Sequence, residues 1–215
     1  MKKIGIGCGI LAALGLGVFV LVVAMGGGYN RLVRLGQGVD AQWAQVQNVY
    51  QRRADLIPNL VATVSGAANF EKTTLTEITA ARASVGQVKL DPNSAPTDPA
   101  KLAEFDRVQG QLTSALSRLL VVVERYPELK ANANFGTLQA QLEGTENRIS
   151  VERGRFNETV QSYNTAVKSF PAVFYAGLLG FKERPYFAAT PGSEKPPPVK
   201  FDFNKTAAPP AVEKP

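Results

Sequence analysis

The sequence predicts an all-α protein, an N-terminal transmembrane helix followed by an antiparallel up-and-down four-helix bundle. Three observations predict it. Ile4 to Met25 is an unbroken uncharged run placed directly behind Lys2 and Lys3. From Tyr29 to Phe170 apolar residues recur at three-and-four spacing, the mark of helices that bury one face. No strand-like alternation of useful length interrupts that pattern.

The first element is the uncharged run. At about 1.5 Å of rise per residue it matches the roughly 30 Å hydrocarbon core of a bilayer. A cleaved signal peptide is the competing reading, with Val22-Val23-Ala24 as its cleavage site. A signal h-region, however, is usually about 7–15 residues, shorter than this run. Cys8 as a lipoprotein cysteine would leave only a few apolar residues before it. Gly5, Gly9, Ala13 and Gly17 recur every fourth residue and share one face, where small side chains let two membrane helices approach. Ordinary glycine tolerance in membrane helices is the plainer explanation. Lys2 and Lys3 ahead of the span favour an N-terminus inside and the bulk of the chain outside.

Gly26-Gly27-Gly28 punctuates the end of the run. In the first bundle helix, Leu32, Leu35, Val39, Trp43, Val46, Tyr50, Ile57, Leu60 and Val64 form one apolar stripe, with Pro58 as a site for a kink. Gly66 to Asn69 predicts the break. A shorter second helix carries Leu75, Ile78 and Val85. Residues 89–99 read as a loop ending in Asp98-Pro99, an N-cap followed by a first-turn proline. The third helix carries Leu102, Phe105, Leu112, Leu116, Leu119 and Val123; it loosens at Tyr126-Pro127 and ends near Asn132. The fourth runs from Phe135 to Phe170 and is closed by Pro171.

An even number of helices returns the chain to its starting end. The apolar stretch 172–181, too short to span a bilayer, therefore either lies in the membrane interface or folds under the bundle as a cap. The expected organisation is an anchor over 1–28, a bundle over 29–189 with a C-terminal apolar segment 170–187, and an extended tail over 190–215. Seven of the fourteen prolines lie in that tail, which cannot bury a core.

Composition excludes several functions. The chain has no histidine and one cysteine, which removes histidine general-base catalysis, Cys/His nucleophilic pairs and most zinc sites. No metal, cofactor or catalytic residue is expected. A net charge of +6 is spread among both signs without a basic block, which argues against nucleic acid and is compatible with an anionic lipid surface.

Several motifs carry a resemblance. They are Arg52-Arg53-Ala54-Asp55-Leu56-Ile57-Pro58-Asn59-Leu60-Val61, Ala81-Arg82-Ala83, Leu142-Glu143-Gly144-Thr145-Glu146-Asn147-Arg148-Ile149, Phe156-Asn157 with Tyr163-Asn164, Ser169-Phe170-Pro171-Ala172, and Gly180-Phe181 with Pro185-Tyr186-Phe187. Together they resemble the LemA family over about residues 29–190. The resemblance implies a membrane-anchored bundle of four helices, found in bacteria, with no established catalytic activity and with some relatives tied to membrane-compartment assembly.

Helix phase adds a polar layer. At 100° per residue, Arg53 and Arg82 fall inside the apolar stripes of their helices, and Glu146 and Glu152 fall on the two edges of the last stripe. Counting helical rise brings the two arginines and one or both of the glutamates to one height, with Arg53 expected to contact Glu146 or Glu152 and Arg82 close by. Buried charge must be paired, so the cluster either sets helix register or holds a small acidic group. On the opposite face of the first helix, Arg52, Asp55 and Asn59 form either a solvated stripe or a contact surface. The expected function is a non-enzymatic, self-associating scaffold or adaptor in the bacterial cytoplasmic membrane, with the lipid bilayer and further copies of itself as partners. The alternatives are a sensor or regulatory subunit for an unknown membrane protein and, from another class, a carboxylate-dependent hydrolase.

Overall fold

The computed structural model describes residues 2–66 and 70–188, with side chains described at 15–17 and from 26 onward. The elements are α1 (Lys2–Ser65), α2 (Lys72–Gln87), α3 (Pro99–Val123), α4 (Pro127–Lys130), α5 (Ala133–Lys168) and a short 3-10 helix (Ala172–Phe174). Among the described residues there is no strand.

The long first helix is uninterrupted. Pro58 lies inside it without ending it. The stripe of Leu32, Val39, Trp43, Val46, Tyr50, Ile57, Leu60 and Val64 is buried throughout. Among the described residues no helix is long and apolar enough to cross a membrane. The side chains of the expected anchor lie outside the described residues except at 15–17, and so do Gly5, Gly9 and Ala13 of the small-residue face. Gly17 is exposed, with open space where a Cβ would stand. The expected tail also lies outside the described residues.

Local chemistry sets the helix boundaries. The Asp98 carboxylate accepts from the Ala100 amide at 2.9 Å, with Pro99 in the first turn. Asn132 caps α5, its side-chain oxygen accepting from the Asn134 and Phe135 amides at 2.9 and 3.3 Å. The expected run of the third helix to Asn132 is corrected. α3 ends at Val123 and α4 is a separate turn, because Pro127 disfavours helical geometry at Tyr126.

α1 packs along α5, and α2 packs along α3. The core is two apolar clusters rather than one. The cluster toward the start of the bundle joins Trp43, Tyr50, Phe105, Phe156, Val160 and Phe187. The distal cluster joins Ile57, Leu60, Ile78, Leu112, Leu119 and Phe135. Between them lie the buried polar residues Arg53, Gln109 and Thr145.

α2 is short, so the proximal half of the bundle has only three helices. The fourth wall is built from non-helical chain. The loop after α2 is tied to α1 by Trp43 Nε1 donating to the Asp91 carbonyl at 3.3 Å and by the Ala95 amide donating to Asp40 at 2.9 Å. After the 3-10 helix, Gly180 at φ 85° turns the chain, and residues 181–188 run extended back along α5.

The apolar segment 172–181 divides its residues between two environments. Ala172, Tyr175 and Ala176 are buried under the bundle, whereas Val173, Phe174, Leu178 and Leu179 are exposed. Capping of the core therefore accounts for only part of it.

Candidate functional site

Arg53 reaches inward from α1 and is 1% exposed. Its Nη1 donates to Glu146 of α5 at 2.5 Å and to the Thr113 hydroxyl of α3 at 2.8 Å. Its Nη2 donates to the Gln109 side-chain oxygen and, at 3.4 Å, to the Gln109 carbonyl. Three helices therefore converge on one guanidinium. Nε is buried and has no hydrogen-bond partner among the described residues. The guanidinium also lies over the Tyr50 ring at 5.1 Å, a cation–π geometry.

The other two members of the expected layer are placed elsewhere, and both are corrections. Arg82 is exposed on α2, where its Nε donates to the Ala54 carbonyl at 3.1 Å. The reason lies in Pro58. A proline has no N–H to give the carbonyl four residues earlier in its helix, so the Ala54 carbonyl is left open for another donor. Glu152 accepts from Gln42 at 2.6 Å and pairs with Arg155 at 2.7 Å. Six residues on a helix separate Glu152 from Glu146 by roughly 120°, so one helix cannot aim both at Arg53.

Sequence reasoning missed four members of the neighbourhood. Gln109 and Thr113 complete the Arg53 site. Gln109 stands in a gap of the α3 stripe between Phe105 and Leu112, and that interruption was the available signal. Arg153 and Asp106 form a second level nearer the start of the bundle. Arg153 holds Asp106 through two bonds, at 2.6 and 3.2 Å, and donates to the Tyr50 hydroxyl at 3.4 Å. Tyr50 thus links the two arginine levels. Burial pushes its phenol above the usual range against the opposing pull of Arg153 and Arg53, so the ring keeps its proton at neutral pH.

The extended C-terminal segment is strapped to α5 by two side-chain amides. Asn157 donates to the Phe187 carbonyl at 3.0 Å and accepts from the Phe187 amide at 2.9 Å. Asn164 repeats the arrangement on Arg184, with both bonds at 2.9 Å. Seven helical residues rise roughly 10.5 Å and three extended residues span roughly 10 Å, so the two registers match. The strap seats Phe187 against Trp43 and Phe156, with ring centroids at 6.2 and 5.4 Å. Arg153 lies over the Phe187 ring at 4.5 Å and donates to the Ala188 carbonyl at 3.2 Å. Arg184 pairs with Asp40 of α1 at 3.5 Å and donates to the Ala95 carbonyl, which ties strap, loop and first helix together.

These levels line a half-open groove of about 1360 Å³ whose walls come from α2, α3, α5 and the strap. Its carboxylates at Asp106, Glu146 and Glu77 are each held by an arginine, Arg153, Arg53 and Arg118 respectively. Among the described residues no cluster of His, Cys, Asp or Glu could hold a metal ion. On the outer face of α1, Arg52, Asp55 and Asn59 are exposed, with Asp55 accepting from Gln51 at 2.7 Å.

Comparison with known proteins follows the same lines. A magnetosome protein, MamQ of Magnetospirillum gryphiswaldense, is 26% identical over 201 residues, covering 86% of this chain and 73% of that protein. MamQ 2 of Paramagnetospirillum magneticum is 25% identical over 87% of this chain and 74% of its own length. Protein LemA of Metamycoplasma hominis is 27% identical over 163 residues, covering 75% of this chain and 65% of its own. The profile of the LemA family matches residues 42–201, the span that holds the arginine levels and the strap, and the chain belongs to that family.

Proposed function

We propose that this protein is a non-enzymatic scaffold or adaptor held at a bacterial membrane by its N-terminal run, with the bundle projecting from the surface as a rigid post. The observation that carries this reading is the continuity of α1. One helix, Lys2–Ser65, joins the uncharged run Ile4–Met25 to the buried stripe of the bundle. An anchor continuous with the core fixes the orientation of the bundle, which is what a scaffold requires and what catalysis does not explain. The relatives named as magnetosome proteins agree with a place in membrane organisation.

Self-association belongs to the same proposal. Its surfaces are the Gly5, Gly9, Ala13 and Gly17 face and the exposed Arg52, Asp55 and Asn59 stripe. A regulatory subunit is the second reading. The groove favours it, because its polar residues are pre-arranged on three helices as a receptor surface for a partner's chain.

Crosslinking in native membranes after a carbonate wash tests both readings. Retention of the protein with a ladder of identical subunits supports the scaffold. A single discrete hetero-complex supports the regulator. Release by carbonate, or a mature N-terminus near Met25, refutes the anchor. Gly9→Leu with Gly17→Leu is expected to thin the ladder, since bulk on that face separates the backbones.

A further inference from the structure

The bundle ends in an exposed apolar surface beside Gly28 and Tyr29 of α1. Phe170 is 82% exposed, Phe174 74% and Leu178 89%, with Val173 and Leu179 also open. Phe170 and Phe174 meet edge to face at 5.9 Å. Large apolar side chains gathered in this way mark an interaction surface rather than scattered surface residues.

The place of this patch along α1 is set by contacts. The Tyr175 hydroxyl lies against Gly28 so closely that a Cβ there would collide with it. The Phe181 ring packs on Tyr29 at 5.5 Å. Gly28 and Tyr29 follow the end of the uncharged run at Met25 by three and four residues, a rise of roughly 4.5–6 Å. Because α1 is one helix through this point, a bilayer that holds the run has its hydrocarbon edge within about one helical turn of the patch.

Charge agrees with that placement. Arg31, Arg34 and Lys182 are exposed on the chain around the patch, and Lys168 is paired with Glu183 at 2.8 Å. Apolar side chains directed at the acyl boundary with cations around them form the pattern of an interfacial segment on an anionic surface.

We propose that the segment from Phe170 to Leu179 is a second membrane contact, seated in the interface of an anionic bilayer beside the anchor. This rests on the anchored reading of the N-terminal run. The 3-10 turn makes the contact possible by dividing its residues. Ala172, Tyr175 and Ala176 hold the turn to the core, while Phe170, Val173, Phe174, Leu178 and Leu179 face outward. Two contacts on one side of the bundle brace it against the bilayer, adding to the orientation that the continuous α1 sets.

The test uses the full chain with Cys8→Ser, reconstituted in phosphatidylcholine vesicles containing phosphatidylglycerol. Single cysteines at Phe174→Cys, Leu178→Cys and Val121→Cys carry an environment-sensitive fluorophore. Val121 is exposed near the far end of α3 and serves as the control. Lipids brominated near the head of the acyl chain are expected to quench positions 174 and 178 several-fold and to leave 121 unchanged. A chain that survives a carbonate wash without quenching at 174 and 178 overturns the second contact and leaves the anchor standing. So does a crosslink between copies at 174 in place of quenching, which assigns the patch to a second copy of the chain. A chain that washes off the vesicles overturns both readings.

Discussion

Arg82 supplies the hydrogen bond that Pro58 cannot. The Ala54 carbonyl, four residues before Pro58 on α1, accepts from Arg82 Nε at 3.1 Å across the α1–α2 junction. One motif creates an open acceptor in a continuous helix, and a second motif, on another helix, fills it. This is how a proline sits in the middle of α1 while fastening α2 to it, a junction with few other contacts.

The relationship is expected to appear as coupling. Arg82→Met is expected to lose about 0.5–1.5 kcal/mol, at the lower end because water reaches this exposed site. With Pro58→Ala the residue at 58 recovers its own N–H, and Arg82→Met in that background is expected to have almost no effect. Denaturant unfolding of both single variants and the double measures this. Equal losses in the two backgrounds would separate the residues energetically.

Arg53 and Glu146 are expected to respond unequally although they form one ion pair. The Glu146 side chain is 37% exposed and that of Arg53 is 1%. Without Arg53, Glu146 can turn to water, but the buried Gln109 side chain cannot. Arg53→Met is therefore expected to lose about 1–3 kcal/mol, mainly through unsatisfied polar groups. Glu146→Gln keeps an acceptor but leaves the buried Arg53 charge without a carboxylate, and is expected to lose more, about 3–5 kcal/mol. Unfolding free energies of the two variants decide it, and a smaller loss at Glu146 would show that the neutral partners Gln109 and Thr113 suffice to hold the guanidinium.

Asn157 and Asn164 are expected to control local opening of the strap more than global unfolding. Asn164→Ala leaves the Arg184 amide and carbonyl without side-chain partners, and Asn157→Ala does the same at Phe187. Each is expected to raise hydrogen exchange at residues 184–188 by about tenfold, the equivalent of about 1.4 kcal/mol. Exchange at the α1–α5 core, at Val46 and Val160, is expected to change less. Uniform acceleration throughout the bundle would make the strap part of one cooperative unit.

Alkaline pH is expected to destabilise the fold through Tyr50. Burial raises its folded pKa above the ordinary phenol value of 10.0, so the unfolded chain releases this proton first. Stability is then intact below the ordinary value and falls as pH rises through the folded one. Tyr163 is raised by burial as well and contributes the same sign. Tyr50→Phe is expected to flatten part of the decline above about pH 10 in unfolding midpoints measured from neutral pH upward. An unchanged slope would remove Tyr50 as its source.

The sequence by itself determined what depends on short-range periodicity. The α1 stripe, the α2–α3 and α5 boundaries at Asp98-Pro99 and Asn132, and the inward phase of Arg53 follow from the 3.6-residue repeat and from capping chemistry, both local. It also placed Glu146 at the height of Arg53. Tertiary structure decided which groups share a partner. Arg82 left the expected layer because Pro58 had opened an acceptor on another helix, a consequence visible only once α1 and α2 lie side by side. Glu152 went to Gln42, whose side chain comes within reach only once α1 and α5 pack together. The strap was least legible. Asn157 and Asn164 read locally as polar helix residues, and residues 181–188 have no periodic pattern of their own. Their pairing depends on the match between seven helical rises and three extended ones, which exists only after Gly180 has turned the chain back along α5.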